Sequence, residues 1–292
     1  MNLIGKGMYI WQVKRCGEPQ AIAQAAKTGG LSHMLVKIAD GPYIFYGLNW
    51  GEKFTGRDWV MELIHELKAV GITVIGWQYV YGVLPEKEAE IAAQRIKEGD
   101  IEIFDIDAEK EYKAPGMGPK AVRYCSRLKN LVPQVEIGLG SYRWPTLHRE
   151  LPWAEFGQYM DFYMPQVYWQ GAHNPTEQLG RCLREYKNLP YPNIPIYPTG
   201  AAYREFGWQP GAGEITAFLK AAKTVFDLPA ANLWEWYDAK ILYPGFWNEI
   251  ATFDYSNQAP PNPPQPPLPP QDWAHAIDAW ARSIGYVGPG PG

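Results

Sequence analysis

Cysteine is scarce in this chain. Three residues in 292, Cys16, Cys125 and Cys182, form an odd, scattered set that suits neither a disulfide framework nor a cysteine metal motif. The five histidines are equally dispersed and no His-Glu-x-x-His occurs, so no metal centre is expected. There is no long basic run, and a formal charge of -4 argues against a nucleic-acid protein, whose footprint would be a basic stripe. No apolar run reaches the roughly 20 residues of a membrane span. The opening Met1-Asn2-Leu3-Ile4-Gly5-Lys6 lacks the apolar core of a signal peptide, so a soluble protein is expected. Finally, no glycine-rich phosphate fingerprint follows the first strand-like segment. That disfavours a doubly wound dinucleotide fold, and no cofactor is implied.

What is present is a regular alternation of strand-like and helix-like segments. Strands are expected at Met8 to Val13, His33 to Ile38, Ile72 to Tyr79, Ile101 to Glu109, Val135 to Leu139, Asp161 to Tyr168, Ile194 to Tyr197 and Asn232 to Tyr237. Between them, apolar residues recur at helical spacing, as with Val60, Leu63, Ile64 and Leu67, or Ile215, Phe218, Leu219, Ala222 and Phe226. Gly71 stands where a helix would need a left-handed residue, and Pro85 where a first-turn proline is welcome. Eight strand-then-helix units predict an α/β protein, a (β/α)8 TIM barrel over residues 1–255. A proline-rich linker is expected over 256–270; its run from Ala259 to Pro270 would extend roughly 37 Å as polyproline II. Residues 271–292 should form a short amphipathic helix, capped by Asp272 with Trp273, Ile277, Trp280 and Ile284 on one stripe, and a Gly/Pro tail. One helix cannot bury two tryptophans alone, so it is expected to dock on the barrel or on a partner subunit.

The fourth strand carries the chemistry. Alternation puts Phe104, Ile106 and Ala108 on one face, and Ile103, Asp105, Asp107 and Glu109 on the other. Three carboxylates on one face, near the strand's C-terminal end, are costly to bury without partners or a task. That end is where such barrels build active sites. Asp107 and Glu109 would have Cα atoms about 6.6 Å apart. Glycoside hydrolysis needs one acid to protonate the leaving oxygen and a second group to meet the positive charge developing on the sugar. Neighbouring negative charges raise the pKa of whichever carboxyl keeps its proton, which suits Glu109 as general acid. Asp107 would stabilise the cationic sugar or act as nucleophile, and Asp105 would tune Asp107 through shared protons.

Phe104-Asp105-Ile106-Asp107-Ala108-Glu109 resembles the D-x-D-x-E strand-four signature of the family 18 chitinases. The resemblance implies that the last Glu is the acid and that the preceding Asp helps the substrate's own acetamido group act as nucleophile. Met164-Pro165-Gln166-Val167-Tyr168 is similar to that family's strand-six Met-x-Tyr region, with one residue more in the gap. Its strand-three Ser-x-Gly-Gly is absent; Gly76-Trp77-Gln78-Tyr79 stands there. Other stretches resemble the family 25 lysozymes, which cut peptidoglycan. Lys37-Ile38-Ala39-Asp40-Gly41 resembles their strand-two K-A-[ST]-[ED]-G, Gly76-Trp77-Gln78-Tyr79 resembles their strand-three G-x-Y-x region, and Asp107-Ala108-Glu109 is similar to their D-x-E. Trp11-Gln12 resembles the end of their strand-one motif, but Gly7 occupies the place of its Asp. The departure puts a catalytic contribution from strand one in doubt. The matches span residues 1 to about 255 and leave the proline tract and tail outside.

Aromatic residues make up 14% of the chain, many at predicted strand ends. Sugar rings stack apolar C–H faces on such side chains while their hydroxyls seek polar groups. The substrate-binding residues expected are Lys37, Trp77, Gln78, Tyr79, Gln166, Tyr168 and Trp236. For Lys37, neutralising Asp40 is preferred over bonding a sugar hydroxyl, and the direction of Glu235 and Asp238 at strand eight stays open. The expected function is a hydrolase, a glycosidase acting on a β-linked amino-sugar polysaccharide, with peptidoglycan favoured over chitin. A phage endolysin or a cell-wall remodelling enzyme would fit. Such a protein acts on the cell wall if released and otherwise stays cytoplasmic. The rivals are a catalytically silent barrel serving as a carbohydrate-binding, structural or virion protein, and a glycosidase of another linkage class.

Overall fold

Segments such as His33–Asp40 and Ile103–Ala108, in which nearly every residue is buried, must be covered on both faces. A parallel sheet closed on itself and wrapped by helices provides that cover. The computed structural model describes residues 3–256 and shows this arrangement. Its strands are β1 (Gly5–Ile10), β2 (His33–Asp40), β3 (Tyr43–Ile44), β4 (Thr73–Val80), β5 (Ile103–Ala108), β6 (Glu136–Tyr142), β7 (Phe162–Val167), β8 (Thr199–Ala201) and β9 (Ala230–Trp234). β1 pairs in parallel with both β2 and β9, which closes a ring of eight parallel strands in the order β1, β2, β4 to β9. The two-residue β3 lies antiparallel on the end of β2 and was not expected from the sequence.

The main helices are α1 (Val13–Cys16), α2 (Pro19–Thr28), α3 (Trp59–Ala69), α4 (Pro85–Glu98), α5 (Met117–Leu131), α6 (Trp153–Gly157), α7 (Pro175–Tyr186), α8 (Glu214–Lys220) and α9 (Pro244–Thr252). Their apolar stripes meet the outward face of the strands. Val60, Leu63, Ile64 and Leu67 of α3 are buried, as are Ala89, Ala92, Ala93 and Ile96 of α4. Phe104, Ile106 and Ala108 belong to this outer core. Asp58 caps α3 by accepting from the Val60 and Met61 amides, and its carboxylate also pairs with the buried Arg95 at 2.7 Å. Gly71, just past α3, has φ +77°, the left-handed conformation expected of it.

The barrel interior has a separate, smaller core. Leu3, Leu35, Ile75, Ile103, Phe162 and Tyr197 fill it. Gly138 of β6 leaves the room Phe162 needs: a Cβ there would lie 1.8 Å from its ring. This plug closes the barrel below, so any chemistry is confined to the C-terminal mouth.

Several expected boundaries move. Strand one ends at Ile10, which leaves Trp11 beyond it and makes Val13 the start of a helix. Prolines displace strand seven: only Ile196 of the expected Ile194 to Tyr197 bridges to Tyr163, and the strand proper follows Pro198. Strand eight stops at Trp234 rather than Tyr237, because Glu235 accepts from the Asp238 amide and turns the chain into a helical segment. The expected linker beyond Ser256 and the helix and tail over 271–292 lie outside the described residues.

Candidate active site

Strand β5 projects Asp105, Asp107 and then Glu109 into the mouth, as alternation requires. Asp105 is the deepest. It is fully buried, and its Oδ2 accepts the Tyr9 hydroxyl at 2.8 Å. Gly140 of β6 faces it; a Cβ at that position would lie 2.7 Å from Asp105 Oδ2, so only glycine leaves the carboxyl its place. Burial raises the Asp105 pKa to about 7, against the pull of the Tyr9 hydrogen bond.

Asp107 and Glu109 share one donor. The Gln166 amide nitrogen of β7 lies 3.1 Å from Asp107 Oδ1 and 2.8 Å from Glu109 Oε1. Both carboxyls have pKa values raised above the ordinary range. For Asp107 the causes are burial and then the neighbouring charges of Glu109 and Asp105, with Lys37 opposing. For Glu109 burial leads, with the Gln166 bond opposing. No arginine or lysine forms an ion pair with either carboxyl among the described residues. Both shifts favour the protonated form, the direction a general acid needs.

A pocket of about 230 Å3 lies over the pair, walled by Trp11, Lys37, Trp77, Tyr79, Tyr168 and Trp234, with Asp107, Glu109 and Gln166 completing it. Trp234 meets Trp77 at 5.6 Å and Tyr9 at 5.5 Å between ring centres, giving the pocket a fixed aromatic floor. The Tyr79 hydroxyl donates to Glu111 at 2.5 Å. Lys37 is almost wholly buried and pairs with Asp40 at 2.9 Å, so it both neutralises Asp40 and borders the pocket.

Of the expected residues, the structure gathers Lys37, Trp77, Tyr79, Asp107, Glu109, Gln166 and Tyr168 around one pocket, with Asp105 directly behind them. Two depart. Gln78 faces outward and is fully buried. Its amide donates to the carbonyls of Gly41 and Glu88, and its oxygen accepts from Tyr124. Alternation dictates this, since Trp77 and Tyr79 on either side of it face in. Trp236 is buried against Trp247, 5.1 Å between ring centres, because the strand ends two residues before it. Trp234 lines the pocket instead. Glu235, whose direction was open, is buried beside its own turn; its pKa is raised to about 7 by burial and by Asp238.

Sequence reasoning missed Tyr9, although the Gly7, Tyr9, Trp11 alternation points it inward. The strand-one aspartate of the lysozyme motif has no equivalent here. A Cβ on Gly7 would lie 2.1 Å from the His33 ring, which crosses that space to bond Asn232. Strand one thus contributes a phenol and an indole, not a carboxylate. No cluster of three or more His, Cys, Asp or Glu able to hold a metal occurs among the described residues.

Fold and mouth together define a closed (β/α)8 barrel with three acidic residues running from the inner face of β5 into its mouth. No family model and no curated protein sequence matches the chain. Solved structures do. Active domain 2 of a thermostable chitinase from Pyrococcus furiosus matches with a TM-score of 0.60 at 16% identity, covering 80% of this chain and 85% of that one. A chitinase from Bacteroides thetaiotaomicron matches at 0.62 and 12%, covering 86% and 96%. The spore cortex-lytic enzyme SleL of Bacillus megaterium matches at 0.60 and 10%, covering 88% and 76%. At these identities the likeness is one of fold.

Proposed function

We propose that the protein is a glycosidase that hydrolyses a β-linked amino-sugar polymer, with peptidoglycan the favoured substrate over chitin. The observation that carries this reading is the pair Asp107 and Glu109, bridged by Gln166, uncompensated by a direct ion pair and set against an aromatic floor. Glu109, the outermost of the three, delivers the proton to the glycosidic oxygen. Asp107 carries the negative charge that meets the sugar cation or, as the chitinase resemblance implies, orients the substrate's acetamido group. Burial, then the neighbouring charges of Glu109 and Asp105, raise the Asp107 pKa and let it exchange protons with Glu109, while the Tyr9 hydroxyl holds Asp105 in place behind it. Trp234 and Trp77 offer faces for the apolar side of the ring. The lysozyme-like stretches at Lys37 to Gly41 and Asp107 to Glu109, with the similarity to a cortex-lytic enzyme, favour a wall polymer and an endolysin or wall-remodelling role.

A second reading, a silent barrel that binds carbohydrate without cutting it, is favoured by one observation: Gly7 replaces the strand-one acid and has no room for it. Release of reducing ends from purified cell walls and from chitin separates the two. The glycosidase reading expects release by the wild type and loss in Glu109→Gln; equal values for both proteins on both polymers leave only the binding role.

A further inference from the structure

The mouth is acidic at β5, yet positive charge collects at the end of β6. Gly138 and Gly140 of β6 face Phe162 and Asp105 inside the barrel, so alternation turns Tyr142, the last residue of the strand, inward as well. Its register partner on β7 is Gln166, the residue that bonds Glu109 at 2.8 Å. Tyr142 therefore stands beside the carboxyl pair. His148 stacks flat on its ring, 3.7 Å between centres and 10° between planes, and the Lys113 ammonium lies 4.9 Å from the same ring. The next residue, Arg143, is half-buried, with its guanidinium 4.3 Å from the Trp144 ring centre. It also lies near Tyr203, which meets Tyr168 of the carboxyl pocket edge-on at 5.4 Å.

Among the described residues neither Lys113 nor Arg143 makes a hydrogen bond or an ion pair. Their neighbours do. Arg181, on the same Trp144 ring at 3.8 Å, is bonded to Glu185 at 2.7 Å, and Glu185 also accepts from the Thr146 amide and hydroxyl. Lys110 lies 3.8 Å from Glu111. The other acids near this cluster, Glu150 and Glu205, are exposed and bond neither cation. Burial, and then the charge of Lys113, hold His148 below its ordinary pKa, so Lys113 and Arg143 carry the charge of the cluster at neutral pH. Burial and the like charge of Arg181 disfavour the Arg143 cation, and no acid of the protein is paired with it. An anion arriving with a ligand supplies the missing partner, and the planar guanidinium matches a carboxylate with two parallel hydrogen bonds.

We propose that the β6 side of the mouth binds a carboxylate of the ligand, with Arg143 as its main partner and Lys113 as a second charge. The polymer that reaches Glu109 is then an acidic amino-sugar chain, with carboxylates on its sugars or on peptide stems, rather than a neutral one such as chitin. Assigning the anion to a sugar polymer rests on the glycosidase reading. The anion site itself rests on two unpaired cations beside the mouth.

The test is calorimetric binding to full-length Glu109→Gln protein, so that no ligand is cut. Three soluble ligands are compared: the tetrasaccharide of alternating N-acetylglucosamine and N-acetylmuramic acid, the same molecule with its carboxyls methyl-esterified, and the same molecule still carrying its stem peptides. An acidic form should bind about tenfold more tightly than the ester, the scale of one charge-assisted contact at a half-exposed site, and the preference should shrink as salt is raised. Preference for the bare acid places the carboxylate on the sugar; preference for the peptide-bearing form alone places it on the stem. Adding Arg143→Ala should bring the ratio close to one and leave binding of the ester unchanged, whereas Arg143→Lys should keep part of the preference. Absent or equal binding of the three ligands, a preference untouched by Arg143→Ala, or equal weakening of acid and ester by that change overturns the site. Reducing-end release from cell walls by the wild type reports the glycosidase reading separately. Release without any acid preference leaves that reading and removes the anion site; acid preference without release leaves the anion site on a binding protein.

Discussion

Two buried acidic sites in this protein lie on neighbouring elements and behave as opposites. Glu88, at the start of α4, is inaccessible to solvent, yet its two oxygens accept four backbone amides, those of Tyr81, Gly82, Val83 and Leu84, at 2.9 to 3.2 Å. It closes the loop that leads from β4 into the helix, and nothing remains for it to do. Asp107 and Glu109 share one amide nitrogen, and their pKa values rise. Burial alone does not mark a functional carboxylate. What distinguishes the mouth from the Glu88 loop is unmet hydrogen-bonding capacity facing a pocket.

The largest expected contrast comes from exchanging which acid is removed. Glu109→Gln should lower kcat by about 10³-fold, the usual scale of general-acid catalysis, while thermal unfolding stays at or above the wild-type temperature. Glu88→Ala should do the reverse. Leaving four buried amides without an acceptor costs about 3 kcal/mol or more, roughly 10 °C in Tm, while kcat per folded molecule is preserved. Loss of activity without loss of stability in Glu88→Ala would erase the distinction.

The deeper acid sharpens it through pH. The folded-state pKa of Asp105, about 7, lies above its ordinary value, so the native protein holds a proton that the unfolded chain gives up from about pH 4. Its contribution is therefore fully present at low pH and is lost as pH rises toward 7. Asp105→Asn should be more stable than the wild type above pH 7, by on the order of a few kcal/mol, and close to it below pH 4. Denaturant titrations of both proteins at each pH give the difference directly. His33, lowered to about 4 by burial, works in the opposite direction but is common to both proteins and cancels.

The smallest effect concerns the floor beneath the mouth. Gly7→Ala drives a methyl group into the His33 ring and should cost about 1–3 kcal/mol by chemical denaturation. A neutral outcome would mean that His33 moves aside easily and that the space could have held a side chain.

Much of the barrel was legible because period-two and helical patterns survive in single segments. The inward faces of β4 and β5 and the apolar stripes of α3 and α4 follow from spacing alone. Strand ends were harder to read, since they depend on tertiary partners. The sequence points to Trp236, while Trp234 lines the pocket, because nothing in the sequence shows that the Glu235 side chain turns the chain there. Gln78 is a different case: the alternation along β4 that turns Trp77 and Tyr79 inward turns it outward, whereas its polarity alone suggested sugar binding. The Gln166 bridge and the Tyr9 support join strands far apart in sequence, and no local pattern encodes such pairings.

The central claim is that Glu109 works as a carboxylic acid whose pKa the mouth has raised. The pH profile of kcat/KM on a soluble amino-sugar oligomer tests it most directly. The account predicts an alkaline limb falling at a pH clearly above the ordinary carboxyl range, absent from the residual activity of Glu109→Gln and unmoved by Glu88→Ala. A limb at the ordinary carboxyl value, or the same limb in Glu109→Gln, would contradict it.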